Sequence, residues 1–359
     1  MCEPPSISDE HLRACLQEQY DLTPITLEFL PLGLDSHAGV YRAVGEQETA
    51  YLLKITSGPL YEPRYLVPRY LNEQGITSVV APIPTRSGGL WTQLEEWTVL
   101  MYPFMNGETS WTGMTDEQWK EVGAIFQRIH QVALPSYGFE LLRKETFDPM
   151  EYARCVRTFE TQHIHSRYEK SASERVLRSS WKAHQSTIHM VVTSLEKLGE
   201  ILQRQTFSYV ICHADLHPAN VIRDSVGHVF VVDWDEVMLA PKERDFLFVG
   251  EPPTDDSARV GVPPFFQGYG PTQINWMVLT YYRYERVVQD LIECAHDVFL
   301  RDDLGEATKA DAAQLFHDIL AEGGEINAAF TAAAHLPQDL TIHNRDISCR
   351  LTKPDARSV

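Results

Sequence analysis

Positive charge is scarce in this sequence. Its 359 residues include 31 Lys and Arg against 50 Asp and Glu, which gives a formal net charge of −19 at pH 7. Proteins that bind nucleic acid or anionic membranes need a concentrated positive surface. The composition therefore predicts neither a nucleic-acid partner nor a membrane partner, whereas the field of such a protein attracts small cations.

Paired cysteines, long apolar runs and secretion signals are also missing. The six cysteines are dispersed and none forms a C-x-x-C pair, so neither a zinc site nor a disulfide framework is indicated. The first nine residues contain two Pro, Glu and Asp but no apolar stretch, and no uncharged apolar run reaches the roughly 18 residues of a membrane span. We therefore expect a cytoplasmic protein that is a monomer or a weak dimer.

Two short polar stretches each lie at the end of an apolar run. The first, His213–Asn220, reads His-Ala-Asp-Leu-His-Pro-Ala-Asn, and the second, Asp233–Asp235, reads Asp-Trp-Asp. Together they supply two carboxylates, Asp215 and Asp233, and the amide of Asn220. A carboxylate that accepts a hydroxyl proton, with two oxygen ligands for Mg²⁺, suits phosphoryl transfer.

A glycine-containing loop and a lysine-bearing strand come earlier in the chain. Residues 32–39 read Leu-Gly-Leu-Asp-Ser-His-Ala-Gly between two strand-like segments, a hairpin that suits phosphate covering and includes Ser36. Lys54 lies near the end of the following strand-like segment and is positioned to reach phosphates, with Glu62 or Glu73 on a following helix as its partner. The G-x-x-x-x-G-K-[ST] pattern is absent, which argues against a P-loop nucleotidase.

The composition changes after residue 101. The preceding segments are strand-like, and the later ones follow a helical pattern. We predict an α+β fold with two lobes. A small β-rich nucleotide-binding lobe (1–101) is joined by a hinge (102–107) to a larger helical lobe (108–359). The larger lobe contains the catalytic loop, the substrate cleft and extra helices within 138–205.

The hinge offers main-chain groups to an adenine. The Tyr102 carbonyl is placed to accept from the amino group of the base. Pro103 has no N–H, so the donor must come from Phe104 or Met105. The alternative interpretation of this segment is an ordinary linker between domains.

The ordered set of motifs resembles the aminoglycoside phosphotransferase family, a branch of the protein-kinase-like fold. Glycine loop, strand lysine, hinge, H-x-D-x-x-x-x-N, D-W-D and P-x-x-R-D follow one another across residues 28–246. His217, two residues after the first motif aspartate, is typical of this family, whereas protein kinases have Lys there. Within the family the chain looks most like the spectinomycin phosphotransferases, through Ile211–His217, Val232–Asp245 and Tyr281–Asp290.

The resemblance implies a role for each motif residue. Asp215 accepts or orients the proton of the attacking hydroxyl, and it forms the catalytic pair with Asn220. Asn220 and Asp233 hold Mg²⁺, and ATP is the phosphoryl donor. Lys54 binds phosphate and is paired with Glu62, or with Glu73 as the fallback, and Ser36 covers the phosphates. His213 and Asp245 anchor the catalytic loop, and Arg244 forms a local salt bridge.

An aminocyclitol that carries ammonium groups requires carboxylates and aromatic faces. The residues that we assign to this small cationic, hydroxylated substrate are Trp234, Asp235, Tyr281, Tyr282 and Glu285. The alternative is that the tyrosine pair belongs to a helix core and that the acids cap helices or pair with Arg283 and Arg286.

Three functions fit these motifs. The first is ATP-dependent O-phosphorylation of an aminocyclitol or aminoglycoside antibiotic, with a spectinomycin-like acceptor favoured. The second keeps the fold and moves the phosphate to a metabolite hydroxyl, of choline, homoserine, thiosugar or ketosamine type. The third is a nucleotide-binding pseudokinase, against which the intact set of Lys54, Asp215, Asn220 and Asp233 argues.

Overall fold

The computed structural model describes residues 5–31, 38–135, 138–166, 171–253, 261–337 and 340. The chain divides into two compact units. The first contains Met1–Lys144 and Tyr209–Thr272, and the second contains Glu145–Ser208 and Gln273–Val359. These limits do not coincide with the lobe boundaries predicted at 101 and 108, because the catalytic segment packs with the β-rich segment in one unit.

A five-stranded antiparallel sheet occupies the N-terminal part of the first unit, with strand order β1-β2-β3-β5-β4. Its side chains alternate as expected for strands that bury one face. In the second strand Tyr41 and Ala43 are buried, and they pack in one cluster with Leu12 and Leu16 of the first helix. The strands are β1 (Thr26–Leu30), β2 (Ala38–Val44), β3 (Ala50–Thr56), β4 (Thr92–Leu94) and β5 (Trp97–Pro103).

Two helices accompany this sheet. Helix α1 (Asp9–Tyr20) begins after Ser8, whose hydroxyl accepts from the backbone N–H of His11 and satisfies a free donor of the first turn. Helix α2 (Pro63–Glu73) follows β3 and has Pro63 at its first position, where a missing N–H costs nothing. Glu62 therefore lies at the start of α2.

Two antiparallel strand pairs present the polar motifs. Strand β6 (Val210–Cys212) pairs with β9 (Met238–Ala240), and β7 (Val221–Arg223) pairs with β8 (Val229–Val231). The loop between β6 and β7 ends in a 3₁₀ turn, Pro218–Asn220. A second 3₁₀ segment, Lys242–Phe246, follows β9 and brings Asp245 beneath this loop.

Helix α3 (Asp116–Gln131) packs closely on the short helix α6 (Pro264–Tyr269). Its capping box joins Thr115 and Gln118, as the Thr-x-x-Gln pattern indicates. Glycines provide the close approach of the two helices, since a Cβ on Gly123 would lie 2.0 Å from the carbonyl oxygen of Phe265.

The described part of the second unit is helical. Tyr281 and Tyr282 lie in its core, where they pack on Phe147. Within the described residues, no helix is both long and apolar enough to cross a membrane. The sheet and the helices together confirm the predicted α+β class. The helices are α4 (Met150–Phe159), which continues into a π-helical turn (Glu160–Ile164), α5 (Ala172–Leu202), α7 (Trp276–Phe299), α8 (Glu306–Leu320) and α9 (Glu325–Ala333).

Replacing Gly123 by Ala tests the contact between α3 and α6. Alanine favours a helix over glycine by up to about 1 kcal/mol, but its methyl group has no room here, so we expect a net loss of about 1–3 kcal/mol in the free energy of unfolding. Gly305→Ala is the control because no atom lies within 4 Å of its added Cβ. Urea unfolding of both variants measures the difference; equal stabilities would contradict the packing described.

Candidate active site

The buried carboxylate of Asp245 holds the loop that carries Asp215. Its Oδ2 accepts from the backbone N–H of His213 at 3.2 Å, and its Oδ1 accepts from that of Ala214 at 2.8 Å. Hydrogen bonds to an ionised acceptor are the strong ones in proteins. The backbone immediately before Asp215 is therefore fixed by two charge-assisted bonds.

Ala214 needs this support because its backbone is in the left-handed region, with φ of 70°. For a residue with a Cβ this conformation costs on the order of 1–2 kcal/mol and persists only where the surroundings impose it. The bond from the Ala214 N–H to Asp245 is such a constraint. It fixes the turn from which Asp215 projects.

His130 is the third partner of Asp245. Its Nε2 lies 3.0 Å from Asp245 Oδ2, and its Nδ1 lies 2.8 Å from the Tyr269 hydroxyl. A ring that donates from Nε2 to the carboxylate leaves Nδ1 to accept from the tyrosine. From the sequence, His130 is recognisable only as a residue near the end of an amphipathic helix. Its contact with Asp245 was not predicted because the two residues are distant along the chain.

His213 ties the loop to the strand that precedes Asp233. Its Nε2 donates to the Val232 carbonyl at 2.8 Å, while its Nδ1 accepts from the backbone N–H of Asp215 at 3.3 Å. The indole of Trp234 lies against the imidazole at a centroid distance of 4.8 Å. The anchoring contacts that were predicted for His213 and Asp245 are thus present.

Asp215 lies in a cluster with Asn220 and His217. The Asn220 amide nitrogen donates to the Asp215 carbonyl at 3.0 Å and approaches its Oδ2 at 3.4 Å. His217 Nε2 lies 3.3 Å from the same carboxylate oxygen. The Asp215 side chain is 27% exposed, so a hydroxyl has access to a carboxylate that the protein also orients.

His217 is itself covered by aromatic rings. The Trp111 indole stacks on it at a centroid distance of 4.2 Å and an interplanar angle of 26°. Phe248 meets the imidazole edge-on at 5.9 Å. Trp111 belongs to none of the sequence motifs. Only its spatial contact with the motif residue His217 identifies it as part of the candidate site.

Asn220 and Asp233 are brought together by the β7–β8 pairing. Val221 is opposite Val231, and the Val232 N–H donates to the Asn220 carbonyl at 3.0 Å, so Asp233 follows directly beside Asn220. The amide nitrogen of Asn220 is used by Asp215, which leaves its amide oxygen as a ligand atom. A carboxylate and an amide oxygen are donors that suit Mg²⁺.

A different group, His130, Cys212 and Asp245, has ligand atoms within 4.8 Å of one another. Its geometry does not favour a metal ion. Asp245 is engaged by backbone N–H groups, and the Cys212 thiol donates to the Ala240 carbonyl. Burial raises the pKa of the Cys212 thiol well above its usual value, so the thiolate that a metal requires is disfavoured.

The structure gives Lys54 a partner other than the predicted one. Its Nζ lies 3.2 Å from Asp235 Oδ2 and 3.7 Å from Asp233 Oδ1. Burial by itself lowers the pKa of the Lys54 ammonium, but the two carboxylates outweigh burial and raise it, so the charged form is retained. Arg64 reaches the same Asp235 carboxylate at 3.7 Å.

The predicted pairing of Lys54 with Glu62 is therefore corrected. Glu62 lies at the N-terminal cap of α2, and the first turn of the helix presents Arg64 to this region instead. The fallback, Glu73, forms an ion pair with Arg69 at 2.7 Å within the same helix. Asp235, assigned from sequence to the substrate, is the carboxylate that contacts Lys54.

The nucleotide assignments have mixed outcomes. Tyr102 lies in β5 opposite Leu52, and burial raises the pKa of its hydroxyl well above the usual value. The Phe104 N–H donates to the Ala50 carbonyl at 3.3 Å, so the sheet already uses it, and of the two predicted donors this leaves Met105. Ser36 lies outside the described residues.

Most of the predicted substrate residues are buried. Trp234 is 3% exposed under the catalytic loop, and Tyr281 and Tyr282 are 0% exposed in the core of the second unit. Glu285 is also buried. A side chain without accessible surface offers nothing to an acceptor, so these four assignments are corrected in favour of core positions. Arg244 lies in the 3₁₀ segment beside Asp245.

Known proteins resemble this chain in sequence and in fold. A model of the phosphotransferase enzyme family matches residues 28–276. No curated protein sequence matched. A solved spectinomycin phosphotransferase, APH(9)-Ia, in complex with ADP and spectinomycin, has a TM-score of 0.80 at 28% identity and covers 91% of this chain and 99% of its own.

Two more distant structures show the fold alone. An aminoglycoside phosphotransferase from Alicyclobacillus acidocaldarius has a TM-score of 0.61 at 17% identity, over 94% of this chain and 97% of its own. An amicoumacin kinase, hAmiN, in complex with AMP-PNP and Ca²⁺, has a TM-score of 0.57 at 18% identity, over 87% and 94% of the two chains. Together with the observed sheet and helices, these likenesses confirm the predicted kinase-like α+β fold.

We expect His130→Ala to destabilise the protein by about 1–3 kcal/mol, since it removes one partner from a buried carboxylate. Tyr269→Phe is the matched control. It deletes only the hydroxyl behind His130, so its cost should be nearer 1 kcal/mol. Chemical denaturation measures both variants; a His130→Ala variant as stable as the parent would contradict the anchoring network.

Proposed function

Since the chain belongs to the phosphotransferase enzyme family, we propose that it is an ATP-dependent O-phosphotransferase of aminocyclitol or aminoglycoside antibiotics, with a spectinomycin-like acceptor favoured. A small-molecule kinase is the activity that its family and its structural neighbours support. The observation that carries the proposal is the accessible Asp215 carboxylate, held by Asn220 on a loop that Asp245 fixes.

Asp215 receives the acceptor hydroxyl in this proposal. The hydroxyl oxygen forms a bond to the γ-phosphorus while the bond from that phosphorus to the bridging oxygen breaks, and ADP leaves. The hydroxyl proton passes to the Asp215 carboxylate and then to solvent. Because the transition state of such transfers is loose, orientation of the hydroxyl contributes more than basicity.

Asn220 and Asp233 would hold a magnesium ion. Such an ion neutralises charge on the phosphate oxygens when it is bound. The pairing of β7 with β8 supports this proposal, because Asn220 and Asp233 lie at the same, open end of that hairpin.

Lys54 is the proposed ligand of the α- and β-phosphates. In the structure its ammonium is neutralised by Asp235 and Asp233. Phosphate binding therefore requires Lys54 to exchange a carboxylate contact for a phosphate contact, and Asp233, as a magnesium ligand, would no longer need Lys54 as its counter-ion. Tyr102 and Met105 remain the proposed main-chain contacts of the adenine.

Three observations support the acceptor class. The net charge of −19 favours cations. APH(9)-Ia, at 28% identity over nearly its whole length, was solved with spectinomycin. The Asp215 region also exposes carboxylates, with Asp233 50% and Asp235 39% accessible.

A metabolite kinase is the second candidate, because the burial of Trp234, Tyr281, Tyr282 and Glu285 removes most of the proposed antibiotic contacts. An ADP-release assay with a panel of acceptors separates the two. The panel contains spectinomycin, several aminoglycosides, choline, homoserine, a thiosugar and a ketosamine. Turnover of spectinomycin above the others supports the proposal, and turnover confined to a metabolite contradicts it. Binding of Mg-ATP without turnover of any acceptor indicates a pseudokinase.

Asp215→Asn should lower kcat by about 10²–10⁴-fold, because a neutral amide neither orients the acceptor hydroxyl as the carboxylate does nor accepts its proton. The KM for ATP should change little. Asp302→Asn, an exposed acid outside the site, controls for loss of a carboxylate. Steady-state kinetics with the preferred acceptor provides the measurement. An Asp215→Asn enzyme that keeps most of its turnover would show that the assignment is wrong.

Lys54→Ala should raise the KM for ATP by roughly ten-fold or more, which corresponds to the loss of a hydrogen bond from a charged donor. The matched control is Glu62→Gln, for which we expect an ATP KM within about two-fold of the parent because Glu62 does not hold Lys54 in the structure. If the two variants shift the ATP KM equally, the partner seen here is not the functional one.

A further inference from the structure

A short loop after the hinge is fastened to the catalytic hairpin. The N–H and carbonyl groups of Glu108 and Arg223 exchange two backbone hydrogen bonds of 3.0 Å. The Arg223 guanidinium, which is buried, donates to the Thr112 carbonyl at 3.1 Å. Gly107 permits the approach, since a Cβ there would lie 2.5 Å from the Arg223 carbonyl oxygen. The position of Trp111 is therefore set by β7, which begins directly after Asn220.

One face of Trp111 is used within the protein. Its indole lies on the His217 imidazole, and Nε2 of that imidazole is 3.3 Å from Asp215 Oδ2. His217 thus contacts both Trp111 and Phe248. Trp111 is separated from the proposed catalytic carboxylate by a single ring.

The rest of the indole is open to solvent. Trp111 is 61% exposed, and among the seven tryptophans, all of which the structure describes, it is the only exposed one. Tryptophan is highly buried on average. A large apolar ring that is rigidly held and exposed beside a catalytic group is suited to ligand contact.

We propose that Trp111 is a specificity-determining residue, and that its exposed surface is an aromatic wall of the acceptor site. Indole is the best of the protein rings at attracting a cation to its face. A protonated amine on an aminocyclitol acceptor would lie on this wall, with a neighbouring hydroxyl directed to Asp215. The inference rests on the proposed function, whose acceptor is cationic.

The test separates binding from catalysis by titrating spectinomycin into the full-length protein and measuring Kd by calorimetry. Trp111→Leu keeps an apolar side chain but removes the ring, and Trp111→Phe keeps a ring. We expect the Kd for spectinomycin to rise by roughly ten-fold in Trp111→Leu and by about three-fold or less in Trp111→Phe. The Kd for Mg-ATP should stay unchanged in both variants.

Each outcome is decisive. An unchanged spectinomycin Kd in Trp111→Leu overturns the inference, including the case where kcat alone falls, which would mean that Trp111 acts only on His217. Equal losses in the Leu and Phe variants would also overturn it. Ring-dependent binding without phosphorylation refutes the proposed function but supports the wall. A wild-type protein that binds no spectinomycin overturns the inference, whereas the proposed function is then decided by the acceptor panel.

Discussion

The carboxylate of Asp245 is the contact on which the candidate site depends. It accepts the N–H groups of His213 and Ala214, and it receives His130 from helix α3. These bonds hold Ala214 in its left-handed conformation. Asp215 follows that residue directly, so the direction of the proposed catalytic side chain is set by an acid that is itself buried.

Opposite charges organise the side of the site that we propose for the nucleotide. Lys54 and Arg64 face Asp233 and Asp235 across short distances, and the pKa of Lys54 is raised by those carboxylates despite burial. Such an arrangement keeps the partly buried ammonium of Lys54 charged. The two carboxylates, Asp233 and Asp235, would repel a phosphate group, and a magnesium ion bound at Asp233 would offset that repulsion.

Motif order along the chain was sufficient to predict the fold class and the placement of Asp215, Asn220 and Asp233 in one region, because strand pairing determines their positions. The predicted partner of Lys54 was wrong, since the resemblance that indicated Glu62 does not show which residues of α2 face Lys54. The assignment of Tyr281 and Tyr282 of α7 to the substrate was also wrong. Their helical spacing predicts burial, and an aromatic residue with that spacing more often belongs to the core than to a ligand site. His130 and Trp111 lay beyond prediction, as both depend on contacts between distant segments.

The central claim is that this protein transfers a phosphoryl group from ATP to a hydroxyl of a cationic acceptor. Its most direct test is product analysis of a complete reaction with spectinomycin by mass spectrometry and ³¹P NMR. We predict one phosphate monoester on the acceptor for each ADP formed. ATP consumption that releases inorganic phosphate and leaves spectinomycin unmodified would contradict the claim.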